Sequence, residues 1–159
     1  MNVLIIGKVM KALIQRVHRC SVAIDGVEHS STGHGMLILL GVKREDREED
    51  SAYLAERCAS LRIFEDPQGK MNLSVRDVGG AAMVVSQFTL YGDTTRGNRP
   101  SYSTAAPPEV AEGLYESFVR HLRTLLGDEK VATGVFRAMM DVNLVNDGPV
   151  TVMVESKTA

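Results

Sequence analysis

The sequence predicts an α/β domain in which two β-sheets pack together and two long helices cover one side. Three observations predict it. Several apolar stretches have the length of strands, Asp25-Gly26 lies between two of them, and only two segments show helical periodicity. The chain has 159 residues, 44% of them apolar and 24% charged, which is typical of one globular domain.

The predicted strands differ in how deeply they are buried. Strands are expected at 12–17 and 20–24, and the glycine of Asp25-Gly26 accepts the positive φ of a tight hairpin turn. Residues 35–42 are apolar without alternation, which predicts a central strand buried on both faces. Three further strands are expected at about 82–90, 141–145 and 150–154.

Both helices have predicted ends and a predicted apolar stripe. The first is expected to begin near Asp46, because Asp46 and Glu49 have capping-box spacing. The second is expected to begin at Pro107-Pro108, where a missing N–H is harmless, and to stop at Gly127. The two stripes are Leu54, Cys58 and Leu61, and then Val110, Leu114, Phe118, Leu122 and Leu125.

Charge and composition limit the partners and the compartment. A net charge of −2 argues against broad binding to duplex phosphates, so no DNA partner is expected, although a short nucleic-acid end is compatible with it. Cys20 and Cys58 form no C-x-x-C pattern and are expected to be buried thiols of a reduced, cytoplasmic protein. The longest apolar run, 36–42, is too short to span a membrane, and the first residues do not resemble a signal peptide.

Common cofactor and hydrolase motifs are missing from the sequence. The four histidines form no i, i+4 pair and no neighbouring carboxylate triad, so no metal site is expected. Gly33-x-Gly35 precedes a strand, and residues 92–97 lack the P-loop ending, so no nucleotide cofactor is expected. There is also no Gly-x-Ser-x-Gly elbow.

Two segments are unusual for the strands in which they lie. Ser86, Gln87 and Thr89 interrupt an apolar strand, and they form either its solvent face or the wall of a polar pocket. In the second segment, 146–151, Pro149 would remove a donor from a sheet ladder. That segment is therefore either a turn between two strands or the site of a cis peptide.

Five motifs in this order resemble the D-aminoacyl-tRNA deacylase family, and together they cover about residues 10–156. They are Leu13-Ile14-Gln15-Arg16-Val17, Gly69-Lys70-Met71-Asn72-Leu73-Ser74, Ser86-Gln87-Phe88-Thr89-Leu90, Gly97-Asn98-Arg99-Pro100-Ser101-Tyr102 and Asn146-Asp147-Gly148-Pro149-Val150-Thr151. Family members usually begin near Met10. The expected organisation is therefore an N-terminal extension, 1–9, and one deacylase domain, 10–159.

The resemblance implies a fold, an activity and an assembly. The fold would be a two-sheet, barrel-like α/β unit. The enzyme would hydrolyse the ester between a D-amino acid, or mischarged glycine, and the 3′ end of tRNA, with no cofactor. It would be a homodimer with its sites at the interface, where a cis Gly148–Pro149 bond projects into the partner's pocket. The alternative is a catalytically silent dimer that binds tRNA ends or a protein.

The resemblance also assigns residues. Ser86, Gln87, Phe88 and Thr89 are the candidate catalytic segment, with backbone N–H groups near Phe88 and Thr89 stabilising the oxyanion and the tRNA 2′-hydroxyl assisting. The candidate substrate-binding residues are Gly148, Pro149, Asn146, Thr151, Arg16 and Met139. Gly148 and Pro149 carbonyls would hold the α-amino group, Asn146 and Thr151 would brace the loop, and Arg16 would clamp it.

One residue departs from the family pattern. In Gly134-Val135-Phe136-Arg137-Ala138-Met139-Met140, relatives usually carry Gly or Ala where this chain has Arg137. If the segment is extended, Arg137 is expected to point away from the pocket into solvent. The alternative is that its guanidinium reaches the phosphates of the tRNA acceptor end.

Overall fold

A computed structural model describes residues 9–156. The expected N-terminal extension therefore lies outside the described residues, apart from Val9. The strands of the described part are β1 (Lys11–Ile24), β2 (Val27–Thr32), β3 (Gly35–Gly41), β4 (Phe64–Glu65), β5 (Met71–Leu73), β6 (Ala81–Ser86), β7 (Val131–Thr133) and β8 (Asp141–Glu155). Two α-helices, α1 (Glu48–Ser60) and α2 (Pro108–Leu126), and two 3₁₀ turns, Phe88–Tyr91 and Asp128–Lys130, complete it.

The long strand β1 organises a six-stranded, nearly closed sheet. Strands β2, β1, β3, β6 and β7 are neighbours in that order, and β8 pairs with β1 as well. The pairs β3–β6 and β6–β7 are parallel, whereas β1 is antiparallel to its three partners. Strands β4 and β5 form a second, small sheet. The predicted α/β, barrel-like class with two long helices is confirmed.

Four of the predicted strands are parts of two long strands. Segments 12–17 and 20–24 are both part of β1, and 141–145 and 150–154 are both part of β8. Opposite Arg16 the register of β8 jumps from Asn146, which pairs with Val17, to Thr151, which pairs with Gln15. Residues 147–150 therefore bulge out of β8, and an irregularity of this kind aims side chains and backbone away from the ladder.

The hairpin and the ends of the helices follow local chemistry. Asp25 and Gly26 have φ values of 52° and 78°, as the predicted hairpin requires. Helix α2 begins at Pro108 and is capped by Gly127, as predicted. The predicted capping pair of α1, Asp46 and Glu49, is wrong. The capping carboxylate is that of Asp50, which accepts from the N–H of Arg47 at 2.8 Å.

The central strand β3 separates two apolar clusters, as its lack of alternation predicts. Met36, Ile38 and Leu40 belong to the cluster that both helices cover. Leu37 lies in the other cluster, with residues of β1 and β6. No helix within residues 9–156 has an apolar stretch long enough to cross a membrane.

Candidate active site

A cleft of about 700 Å³ opens where β6 ends. Strand β6 is shorter than predicted, because the chain leaves the sheet after Ser86 and enters a 3₁₀ turn at Phe88. The N–H of Gln87 still donates to the carbonyl of Leu40 at 2.8 Å, so this exit is anchored to β3. The lining residues are Val42, Arg44, Val85, Ser86, Gln87, Phe88, Tyr102, Ala105, Ala106, Pro107, Pro108, Ala111, Phe136, Arg137, Ala138, Met139, Met140 and Val142.

Gly41 allows the 3₁₀ turn to pack closely against the end of β3. A Cβ on Gly41 would lie 2.9 Å from the ring of Tyr91 and 3.2 Å from the carbonyl oxygen of Gln87. The 3₁₀ turn that follows the polar segment therefore packs directly against the end of β3, where only glycine leaves enough room.

The candidate catalytic segment lies partly in the cleft. Ser86, Gln87 and Phe88 line it, whereas Thr89 is not among the lining residues. The side-chain amide of Gln87 donates to the hydroxyl of Thr89. The ring of Phe88 is exposed and meets Tyr102 edge-on, with ring centroids 5.2 Å apart. Of the polar interruption, Ser86 and Gln87 thus form part of a cleft wall, whereas Thr89 is exposed and lies outside the lining.

Among the described residues, the cleft lining offers no side chain suited to take a proton from water at neutral pH. Among the described residues that line it, none is Asp, Glu, His, Lys or Cys, and the charged ones are Arg44 and Arg137. Phe88 and Thr89 open the 3₁₀ turn, and the first N–H groups of a helical turn have no acceptor within it. Besides these two arginines, the cleft therefore offers a substrate backbone N–H donors, neutral polar side chains and apolar side chains.

The two cysteines do not supply a nucleophile. Cys20 and Cys58 are free and buried. Burial raises the pKa of the Cys20 thiol to about 11 and that of Cys58 to about 12. Because the thiolate is the reactive form, both are structural thiols.

The bulge of β8 is an exposed loop that carries a cis peptide. The Gly148–Pro149 bond is cis, and both residues are exposed. Asn146 closes the base of the loop: its side-chain amide donates to the carbonyl of Val150 at 3.1 Å, and its Oδ1 accepts from the N–H of Val150 at 3.0 Å. One side chain therefore joins the two ends of the loop.

Arg16 holds the same loop from the β1 side. It is buried, and its Nε lies 3.1 Å from the carbonyl oxygen of Asp147 and 3.2 Å from the carboxylate of Asp147. Its Nη1 donates to the carbonyl of Ile63 at 2.7 Å. An arginine in an apolar strand is thus explained by three acceptors, two of which belong to the loop.

Two histidines also lie beside Asp147. The Nε2 of His18 lies 3.5 Å, and that of His34 4.0 Å, from its carboxylate oxygens. Asp147 is far from both histidines in the sequence, so only the fold brings these three side chains together. Even so, residues 9–156 contain no group of three or more His, Cys, Asp or Glu arranged to hold a metal ion.

Within one chain, the predicted substrate-binding residues do not all meet the predicted catalytic segment. Met139 lines the cleft and is 90% exposed. The residues that do not line it are Arg16, Asn146, Gly148, Pro149 and Thr151. The hydroxyl of Thr151 accepts from the side chain of Gln15 at 3.2 Å. Cleft and loop are therefore separate features of the chain.

Sequence reasoning missed several residues of the cleft. Arg44, Tyr102 and Phe136 line it, from three connections far apart in the sequence. Arg137 was expected to point away from the pocket, but it also lines the cleft, because its segment forms a turn in which Arg137 has a φ of 68°. A non-glycine residue at positive φ is uncommon, so the extended backbone expected for this segment did not predict it.

Comparisons with known proteins agree over nearly the whole chain. The D-Tyr-tRNA(Tyr) deacylase family matches residues 13–155. A D-aminoacyl-tRNA deacylase of Salinibacter ruber is 57% identical over 148 residues, which are 93% of this chain and 98% of that protein. One of Anaeromyxobacter dehalogenans is 55% identical over the same shares of both chains.

Solved structures share the fold. One described as c-Myc DNA Unwinding Element Binding Protein superposes with a TM-score of 0.89 at 41% identity, covering 93% of this chain and 99% of that one. A probable eukaryotic D-amino acid tRNA deacylase superposes with a TM-score of 0.80 at 16% identity, covering 92% and 99%. This chain belongs to the D-Tyr-tRNA(Tyr) deacylase family.

Proposed function

We propose that this protein hydrolyses the ester bond of D-aminoacyl-tRNA in the cytoplasm and so removes wrongly charged D-amino acids before translation uses them. The observation that carries the proposal is the family match over residues 13–155, which includes both the cleft wall and the loop. Glycine, which has no side chain to exclude, is proposed as a second amino acid removed from tRNA. The products are the free amino acid and tRNA.

The proposed reaction needs few protein side chains. The oxygen of a water molecule adds to the ester carbonyl carbon, and the ribose 3′ oxygen then leaves and takes up a proton. Backbone N–H groups of Phe88 and Thr89 stabilise the negative charge on the carbonyl oxygen. Because no lining side chain of the described cleft is an evident base, the 2′-hydroxyl of the terminal ribose assists the proton transfer.

The proposed substrate site combines two copies of the chain. The Gly148–Pro149 loop is exposed and lies outside its own cleft. The apolar side chains exposed at the cleft include Phe88 and Met139, which are 55% and 90% exposed. In the proposed homodimer the loop of one subunit covers the cleft of the other. The exposed loop and the exposed apolar side chains of the cleft, which do not meet within one chain, would therefore meet across the dimer interface.

The loop is proposed to read chirality. The carbonyl groups of Gly148 and Pro149 accept from the substrate's α-amino group, which fixes one substituent of the α-carbon. The ester, held at the cleft wall, fixes a second. The D side chain then points into open space, whereas an L side chain meets the loop backbone, which Arg16 and Asn146 hold in place. Rejection by contact requires this rigidity.

A time course with both enantiomers tests the proposal. Purified protein is mixed with D-tyrosyl-tRNA or L-tyrosyl-tRNA, with and without EDTA, and the remaining ester is measured against a no-enzyme control. Loss of the D ester with the L ester intact, unchanged by EDTA, is expected. No loss of the D ester over the control would contradict the proposal and favour the alternative, a silent dimer that binds tRNA ends or a protein.

A further inference from the structure

The charge of the cleft differs from that of the whole chain. The protein carries a net charge of −2, yet the charged residues that line the cleft within the described part are Arg44 and Arg137. Neither forms an ion pair with a carboxylate of the described residues. A largely apolar cleft with two unpaired cations favours a ligand that is mostly apolar or neutral and carries an anionic group.

The two arginines are presented by different connections. The Nε of Arg44, after β3, donates to the carbonyl of Ser103 at 2.9 Å, a bond that uses only one edge of the guanidinium. Arg137 lies in the turn between β7 and β8, at a φ of 68°. This left-handed conformation lets the chain turn at Arg137, and the residue lines the cleft.

The chemistry of the substrate identifies the anion. This step rests on the proposed function. In an aminoacyl ester the amino acid carboxyl is consumed by the ester bond and carries no charge, and the ribose and adenine of the terminal nucleotide are neutral. The phosphates are therefore the anions of an aminoacyl-tRNA end. Arginine suits them, because its planar guanidinium presents paired donors to phosphate oxygens.

We propose that Arg44 and Arg137 form a phosphate grip that binds the 5′-phosphate of the tRNA's terminal adenosine. The grip orients the nucleotide so that its 3′ ester lies against Ser86–Phe88. It acts in substrate binding and not in the chemical step, so its loss raises KM and leaves kcat unchanged.

A matched pair of small substrates isolates this contact. One is adenosine esterified with D-tyrosine at its 3′ position, and the other is the same compound with a 5′-phosphate. Arg137→Gly removes the guanidinium but accepts the positive φ, so the turn is retained. Arg137→Lys keeps the charge, and Arg44→Gln removes the second cation. Arg76→Gln is the control, since Arg76 is exposed, lies outside the cleft lining and carries the same charge.

The expected result is selective for the phosphate. Arg137→Gly and Arg44→Gln each raise KM for the phosphorylated substrate about fivefold at low salt, a range typical of an exposed ion contact. KM for the unphosphorylated substrate stays unchanged, Arg137→Lys recovers part of the loss, and Arg76→Gln matches the wild type. With full-length tRNA, Arg137→Gly lowers the slope of log affinity against log salt by roughly 0.7.

Binding of a stable analogue separates failure of the grip from failure of the proposed function. In the analogue, an amide replaces the ester, again with and without the 5′-phosphate. Tighter wild-type binding with the phosphate supports the grip even if no ester is hydrolysed. Equal wild-type affinity for the two analogues, or equal effects of Arg137→Gly on both, would overturn it.

Discussion

Replacing Arg16 by methionine tests how the Gly148–Pro149 loop is held. Arg16→Met keeps an unbranched side chain of similar reach but removes the donors to the carbonyls of Asp147 and Ile63 and the ion pair with the Asp147 carboxylate. Hydrogen bonds from a charged group contribute about 1.5–3 kcal/mol each, and breaking a buried ion pair costs about 3–5 kcal/mol. We expect the free energy of unfolding to fall by about 3 kcal/mol. This is the lower end of the range for a buried ion pair, because the Asp147 side chain is 24% exposed.

The functional effect is expected to exceed what lost stability explains. Without Arg16 the loop loses its buried anchor on β1 and keeps the Asn146 brace at its base, so its carbonyls no longer keep a fixed position. We expect kcat/KM for D-tyrosyl-tRNA to fall at least about tenfold while that for L-tyrosyl-tRNA does not fall. The tenfold loss in the D/L ratio corresponds to about 1.4 kcal/mol of differential transition-state binding. Initial rates on both aminoacyl-tRNAs and urea unfolding measure the two effects.

A core variant provides the matched control. Leu122→Ala removes a fully buried side chain from the cluster beneath α2, at a cost of about 2–5 kcal/mol. It lowers stability to a similar degree without touching the loop, so its D/L ratio stays at the wild-type value. If both variants have the same D/L ratio, Arg16 contributes only stability and the positioning role is refuted.

Three further variants test separate parts of the site and the fold. Thr89→Ala is expected to keep substantial turnover, because the Thr89 hydroxyl contacts Gln87 and lies outside the cleft lining, so a trapped acyl-enzyme on Thr89 would contradict the mechanism. Asn146→Ala loses two hydrogen bonds to Val150, about 2 kcal/mol by urea unfolding, and lowers the D/L ratio, so an unchanged ratio would be evidence against bracing. Burial raises the pKa of Asp46 to about 6 from an ordinary 3.8, so its ionisation lowers stability as pH rises from about 4 to 6, by up to about 3 kcal/mol. Asp46→Asn removes this fall, and wild-type and variant stabilities that stay parallel between pH 4 and 7.5 would refute it.

Apolar patterning predicted the parts of the fold that depend on local periodicity. β3 is buried on both faces, as its run of apolar residues indicated, and α2 begins and ends where Pro108 and Gly127 act on the backbone. These features were predictable because each depends on residues close together in the chain. The three-residue strand β7 carries too few residues for a pattern to appear.

The remaining features depend on contacts between distant residues. Arg16 and Asp147 are 131 positions apart, so the pattern of β1 alone did not show which acceptors the Arg16 side chain meets. The family resemblance named the loop and the Ser86–Thr89 segment, but it did not predict Arg44 in the cleft. Arg137 was placed on the wrong side, because a left-handed residue reverses the face that extended backbone would give.

The proposal that cleft and loop meet between subunits has a direct test in mixed dimers. Ala138→Trp fills the cleft, since Ala138 lines it, and Arg16→Met loosens the loop. The two purified variants, each with little activity, are unfolded together in urea and refolded as a mixture. Random pairing makes about half of the dimers mixed, and each mixed dimer has one site with an intact cleft and an intact loop. We expect D-tyrosyl-tRNA hydrolysis to recover to about a quarter of the wild-type rate. If the mixture stays as inactive as its components, each site lies within a single chain and the proposed two-subunit site is wrong.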